Sequence, residues 1–479
     1  MSAAGFRRRA SRIGDIRVNL GRRQPQTIRI LPPAQRRSGI PRGLWVPLGF
    51  AIIILAGTLL LMLPVSSATG ETTPALDALF VATSAVSTTG LSPVDTADYW
   101  SGFGEFVVLV MIQVGGLGFM AAATLALVLL RRRLSMALRL TTGDTLGRLG
   151  VERPGDLRRI TRGVLLGSLA IEVVGALALL AWFAVQHGLS IHQAWRATFT
   201  AVSAFNTAGF DIEGGGAGLT REATNVPMVG IILVLSLLGG TGYAIWADVL
   251  ERRHRHRLAV DTKLVFLGMA LLWLGGSAAI LLLETGTSSA LGSGPARLSN
   301  AAFTAISGGT TVGFSTINVG ALRENTTIVV IALMFVGAAP ASTAGGIKLT
   351  TWVVLLYTMV ASLRGNDHVS AFDREIAWTY VNRALTVALL GVAIAFGVGL
   401  LLTVFVAANA LNLVFEGVSA FGTVGLSRGV TGDLTPAAQI ATTAAMYLGR
   451  VGPLSLALVF LAQGQPMRVR YPQEAITIG

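Results

Sequence analysis

Four copies of one short pattern carry the residue types that could hold a bare cation. They are Phe80-x3-Ser84-x3-Thr88-x-Gly90-Leu91, Phe199-x3-Ser203-x3-Thr207-x-Gly209-Phe210, Phe303-x3-Ser307-x3-Thr311-x-Gly313-Phe314 and Phe415-x3-Ser419-x3-Thr423-x-Gly425-Leu426. Glycine takes up the positive φ that turns consecutive carbonyls to one side, and threonine sets a hydroxyl oxygen beside them. Four such turns around an axis would form an oxygen ring able to replace the water shell of a potassium-sized ion. The expected lining is Ser87, Thr88, Thr89 and Gly90; Asn206, Thr207, Ala208 and Gly209; Thr310, Thr311, Val312 and Gly313; and Gly422, Thr423, Val424 and Gly425. Helix packing is the alternative, because Gly and Ser also let membrane helices approach closely. Packing alone does not require five positions to recur in register four times.

The composition says what kind of element must position these loops. Of the 479 residues, 52% are hydrophobic and only 13% charged, where a soluble domain carries about 25%. Eight apolar stretches near the length needed to cross a bilayer fall at about 45–63, 104–130, 163–185, 226–250, 264–283, 326–362, 384–406 and 437–463. The fold class expected is therefore an all-α polytopic membrane protein. Each pattern copy ends a semi-apolar helix too short to span, with Phe and Ser four apart on one face. Entering from outside, such a helix points its partially negative C-terminal end at the membrane centre. Irregular backbone at that depth is tolerated only when buried in protein or facing water. The chain then divides into a basic tail (1–44), pore repeats at 45–130, 163–250, 264–362 and 384–463, intervening segments at 131–162, 251–263 and 363–383, and a tail at 464–479.

Charge sets the orientation. The two tails and three intervening segments hold thirty of the thirty-seven Lys and Arg; the opposite side holds five, Arg196, Arg221, Arg297, Arg323 and Arg428. The positive-inside rule then places both termini in the cytoplasm. The outer side carries eleven acids, among them Asp95, Asp98, Asp211, Glu213 and Asp433, a balance that concentrates cations. Residues 1–44, with eleven arginines and Asp15 as their one acid, read as a disordered cytoplasmic tail for anionic lipid or a partner subunit, not as a nucleic-acid-binding region.

Two features interrupt the spans. The run Gly337-Ala-Ala-Pro340-Ala-Ser342-Thr343-Ala-Gly345-Gly346-Ile-Lys348 cannot be a uniform helix, because Pro340 lacks a donor and its neighbours are small. It reads as a kink or an unwound loop below the four turns. Arg450 lies midway along the last span, and an intramembrane charge is functional by default, with a structural ion pair or bonds to freed carbonyls as the alternative. Lys348 is expected near the inner end, able to snorkel. Glu172, Gln113 and the glycines at 115, 116 and 118 read as packing or support. The five histidines form no metal motif, and Gly214 to Gly218 lacks the strand and helix of a dinucleotide site. No nucleotide or other cofactor site is visible, the chain has no cysteine, and no nucleophile and base or metal cluster marks an enzyme.

Through the four turns and these two features, residues 45–463 resemble the Trk/Ktr/HKT superfamily of potassium transporters. The resemblance implies four membrane-helix, pore-helix, membrane-helix repeats in pseudo-fourfold arrangement around one pore. It also implies a homodimer in the cytoplasmic (inner) membrane with a cytoplasmic ring of nucleotide-binding regulatory subunits. By that resemblance, Gly90, Gly209, Gly313 and Gly425 go with potassium conduction. Gly337, Pro340, Ser342, Thr343, Gly345 and Gly346 would form an intramembrane gating loop, with Arg450 as part of the barrier. Potassium is then the transported substrate. Sodium permeation and ion-coupled symport remain open alternatives, and the arginine-rich tail departs from the family pattern.

Overall fold

The computed structural model describes residues 45–132, 154–215, 218–252, 258–285 and 289–462. Expectations for the tail 1–44, for most of 131–162, for part of 251–263 and for 464–479 lie outside the described residues. The chain is almost entirely helical, in a rhythm of longer helix, short helix, loop and longer helix. It runs α1 (Trp45–Leu61), α2 (Ala75–Ser87), α3 (Gly102–Arg132); α4 (Pro154–His187), α5 (Ile191–Phe205), α6 (Val226–Thr241), α7 (Tyr243–Arg252); α8 (Val260–Leu283), α9 (Pro295–Thr310), α10 (Glu324–Phe335), α11 (Leu349–Leu363); and α12 (Trp378–Phe405), α13 (Ala410–Gly422), α14 (Pro436–Ala462).

Two differences from the sequence reading have local causes. The stretch 226–250 is not one continuous helix: α6 and α7 meet at 91°, about Gly242, whose φ of 76° ends the first of them. The 363–383 segment holds an antiparallel hairpin of β1 (Val369–Ala371) and β2 (Arg374–Ile376), with Phe372 and Asp373 both at positive φ in the two-residue turn. Among the described residues, α3, α4, α8 and α12 contain segments long and apolar enough to cross a bilayer, and the bent pair makes a fifth. The break at 336–348 divides the sixth stretch as its small residues and proline predict.

The apolar surface is distributed for a lipid solvent. Only 22% of the apolar window of α12 is buried, and Leu389, Leu400 and Val404 on it are exposed. A water-soluble protein rarely presents so continuous an apolar face. The short helices α2, α5, α9 and α13 sit inside. Each signature phenylalanine enters the core of the preceding repeat. Phe199 joins the α1–α3 core, Phe303 the α4–α6 core and Phe415 the α8–α10 core, while Phe80 joins the core of α12–α14. That arrangement explains why the aromatic residue recurs in every copy: it locks each short helix to its neighbour.

Candidate functional site

Each short helix ends in the same way. Thr88, Thr207, Thr311 and Thr423 have φ of 55°, 53°, 59° and 50°, the left-handed region. A β-branched residue resists that conformation at about 1–2 kcal/mol, so four registered instances require compensation. The signature serines supply part of it. The carbonyls of Ser84, Ser203, Ser307 and Ser419 accept the N–H groups of Thr89, Ala208, Val312 and Val424 at 2.8 to 3.1 Å. In the first and fourth loops the serine hydroxyl also accepts from the glycine, Gly90 N at 3.0 Å and Gly425 N at 3.1 Å. In the second and third it donates to the carbonyls of Phe210 and Phe314, at 2.7 and 2.6 Å.

The glycines then face one another in sequence. A Cβ on Gly90 would collide with the carbonyl oxygen of Ala208, one on Gly209 with that of Val312, one on Gly313 with that of Val424, and one on Gly425 with that of Thr89. All four have positive φ, between 69° and 92°. The four loops therefore meet in the closed order first, second, third, fourth, first. Gly is required twice over, by dihedral and by the neighbouring backbone.

The segment between α10 and α11 contacts all four left-handed threonines. Thr88 Oγ1 donates to the carbonyl of Thr343 at 3.5 Å, and Thr207 Oγ1 lies 3.3 Å from Thr343 Oγ1. Gly345 N donates to Thr311 Oγ1 at 3.3 Å, and a Cβ on Gly345 would strike Thr423 Oγ1. Thr343 Oγ1 donates to the carbonyl of Phe205 at 3.1 Å. Backbone bonds from Ala339 N to Gly240 O (3.1 Å) and from Thr343 N to Gly239 O (3.2 Å) tie the segment to α6. Ser342 Oγ donates to Ala339 O, a turn with Pro340 inside it, and Ala341 and Gly346 have φ of 56° and 61°. A Cβ on Gly337 would strike the carbonyl of Gly345. The expected loop residues are thus gathered beneath the expected lining.

Arg450 is 1% exposed and has no carboxylate partner among the described residues. Its guanidinium donates to the carbonyl of Thr343 and, at 3.3 Å, to that of Gly115, and lies 4.3 Å from the centre of the Phe119 ring. Gly449, where a Cβ would strike the carbonyl of Phe421, brings α14 close enough for this reach. Lys348 does not snorkel: Nζ donates to the carbonyls of Ala344 (2.5 Å) and Gly345 (3.4 Å), 5.3 Å from the same Phe119 ring. Both cations hold the segment's carbonyls in an apolar setting, where charge-assisted hydrogen bonds are strong.

Not every lining candidate turns its side chain the same way. Ser87 Oγ pairs with Thr89 Oγ1 at 2.7 Å and Thr310 Oγ1 with the carbonyl of Ile306 at 2.7 Å. Asn206 points away, to Gln113 and Glu172. Sequence reasoning does not reach Glu416, a fully buried acid of α13 that accepts from Ser427 (2.8 Å) and Thr431; an acid inside an apolar short helix is the signal that finds it. Beyond the fourth loop, Arg428 binds Asn412 Oδ1 at 2.7 Å and the carbonyls of Val319 and Leu322 at 3.2 Å, bracing the fourth loop on the third. Asp211 accepts from Glu213 N at 3.2 Å. Burial, with some repulsion from Glu213 and Asp95, pushes its carboxyl up to about 6. No cluster of metal-ligating side chains occurs among the described residues.

A family model described as a cation transport protein, TrkH, matches residues 50–471. The chain is 34% identical to the potassium/sodium uptake protein NtpJ of Enterococcus hirae, over 90% of this chain and 96% of that one. It is likewise 34% identical to the Ktr system potassium uptake protein B of Bacillus subtilis, over 90% and 95% of the two chains. Among solved structures, the potassium transporter TrkH from Vibrio parahaemolyticus superposes with a TM-score of 0.68 at 18% identity, covering 90% of this chain and 87% of that one.

Proposed function

Because the chain belongs to the TrkH family of cation transport proteins, whose members are transporters and not enzymes, we propose that it takes up potassium through the ring formed by its four loops. The observation that carries this reading is the closed order of the filter glycines, each packed against the carbonyl before the next glycine. Backbone oxygens held that way replace ion hydration without a charged ligand. The names of the two bacterial relatives, both potassium uptake proteins, point to the same cargo.

In this reading an ion enters at the acidic mouth, sheds water at the ring and meets the 337–347 segment beneath it. Passage requires the segment to leave the four threonines, and Arg450 with Lys348 holds it in place. The membrane potential suffices as the driving force, since one charge moving through 100 mV gains about 2.3 kcal/mol. Four pseudo-fourfold repeats at 45–130, 163–250, 264–362 and 384–463 would surround one pore. The protein would be a homodimer in the cytoplasmic membrane with both termini inside, opened by a ring of nucleotide-binding regulatory subunits. Sodium permeation is the second reading, favoured by the potassium/sodium name of one relative.

The test is potassium against sodium flux into liposomes holding the purified protein under a clamped potential, with and without the cytoplasmic regulatory subunit. Potassium-preferring flux that follows the potential is expected. Equal flux of both ions would sink the potassium filter, and no flux with the partner present would sink the pore.

A further inference from the structure

At the loop position directly before the left-handed threonine, the four copies carry Ser87, Asn206, Thr310 and Gly422. Ser87 bonds within its own loop and Thr310 within its own helix, while Gly422 has no side chain. Asn206 is the exception. The two hydrogens of its Nδ2 are shared among three acceptors, Glu172 Oε1 at 2.9 Å, Gln113 Oε1 at 2.9 Å and the carbonyl of Val202 at 3.0 Å. Gln113 Nε2 donates to Glu172 Oε2 at 2.6 Å. The triangle joins α3 of the first repeat, α4 of the second and the second loop. Glu172 is 3% exposed, and no cation pairs with it among the described residues.

Glu172 accepts from Gln113 Nε2 and from Asn206 Nδ2, and these two bonds fix which end of each amide faces it. That choice leaves Asn206 Oδ1 buried and without a partner beside Gly116, where a Cβ would collide with it. The cost of an unsatisfied amide oxygen is accepted in order to hold Asn206 in one pose. Its neighbour Thr207 is the strained residue of that loop and donates to the Asn206 carbonyl at 2.7 Å. A buried acid bonded to two amides is a costly way merely to pack two helices.

We propose that Glu172 is a positioning residue that sets ion discrimination at the second loop by orienting Asn206 through the Gln113 triangle. The inference rests on the filter reading above. It differs from the lining residues in that Glu172 never meets the ion and acts by fixing the carbonyl frame of one quarter of the ring.

The experiment is the sodium-to-potassium permeability ratio of wild type, E172Q, Q113A and the exchange variant E172Q/N206D in liposomes, with thermal unfolding as a check of folding. E172Q is isosteric but can turn a donor towards Asn206, and the ratio should rise on the order of tenfold, the effect of losing one charge-assisted hydrogen bond. E172Q/N206D moves the acid to the other end of the bond between the two residues, at the cost of the bond to the Val202 carbonyl, and should return the ratio part of the way. Q113A, which keeps the charge, should shift the ratio in the same direction by a smaller factor, and it decides the matter should E172Q fail to insert. Folded variants with the wild-type ratio overturn the proposal, as does an exchange variant no better than E172Q. A wild type that does not prefer potassium overturns the filter itself, an outcome distinct from failure of the variants alone.

Discussion

The decisive residues are small or strained. Four threonines stand where glycine would fit with less strain, and what they add is a hydroxyl, three of which contact the Thr343–Gly345 segment directly. The fourth, on Thr423, lies against Gly345 without a partner among the described residues. Thr at this position therefore links ring geometry to the segment below, a link that glycine would remove. The glycines of the proposed filter give a sharper expectation. Gly313→Ser places a Cβ against the Val424 carbonyl at a φ of 79°. In the proposed filter, the displaced carbonyl should raise relative sodium permeation on the order of tenfold with expression and folding unchanged. Unchanged ion preference in a folded G313S protein would remove Gly313 from the filter.

Elements bring these residues together on the segment proposed as the gate. Helix α14 approaches α13 at Gly449 and delivers Arg450 to the carbonyl of Thr343, and α11 begins at Lys348 on the other end of the same segment. Arg450→Ala removes one of the two cations on those carbonyls and should raise basal potassium flux several-fold in liposomes without the regulatory subunit. Loss of folded protein instead would mark Arg450 as purely structural. The helix contacts carry a stability expectation with a built-in control. Gly449→Ala drives a methyl into the Phe421 carbonyl and should cost about 1–3 kcal/mol. Gly118→Ala meets nothing within 4 Å and should be neutral or slightly stabilising. Thermal unfolding in detergent with equal shifts for both would refute the close-approach argument.

For the whole molecule, the outer mouth gives a pH dependence. Asp211 lies just beyond the second loop with its carboxyl raised to about 6, so it is ionised at pH 7 and neutral by pH 5. Acidifying the outside through that range removes a negative charge from the mouth. Potassium flux at limiting potassium should therefore fall between pH 7 and 5, and Asp211→Asn should flatten that step. A wild type with no such step, or an Asp211→Asn variant that keeps it, would remove Asp211 from ion entry.

Much of this architecture is legible in the chain because repetition multiplies a weak signal. One Phe-Ser-Thr-Gly loop proves little, while four in register locate the short helices and their turns, and the run of small residues about Pro340 locates the break. What stays hidden depends on contacts between distant segments. Nothing local to Asn206 announces Glu172 and Gln113, Lys348 bonds backward rather than reaching for water, and Gly242 bends a stretch whose composition reads as one span. The cyclic packing of phenylalanines is equally invisible, because each side chain sits in another repeat's core.

All four loops belong to a single polypeptide, and that covalent fact has a consequence for design. A ring assembled from four identical subunits must place four copies of every feature around its axis, so a plug thick enough to close the centre would clash with its own images. Here the turn repeats four times, but among the described residues the segment that contacts all four turns occurs once, between α10 and α11, and the arginine bonded to it once, on α14. Joining the quarters into one chain lets the four turns keep their repetition while the segment packed against them exists without copies.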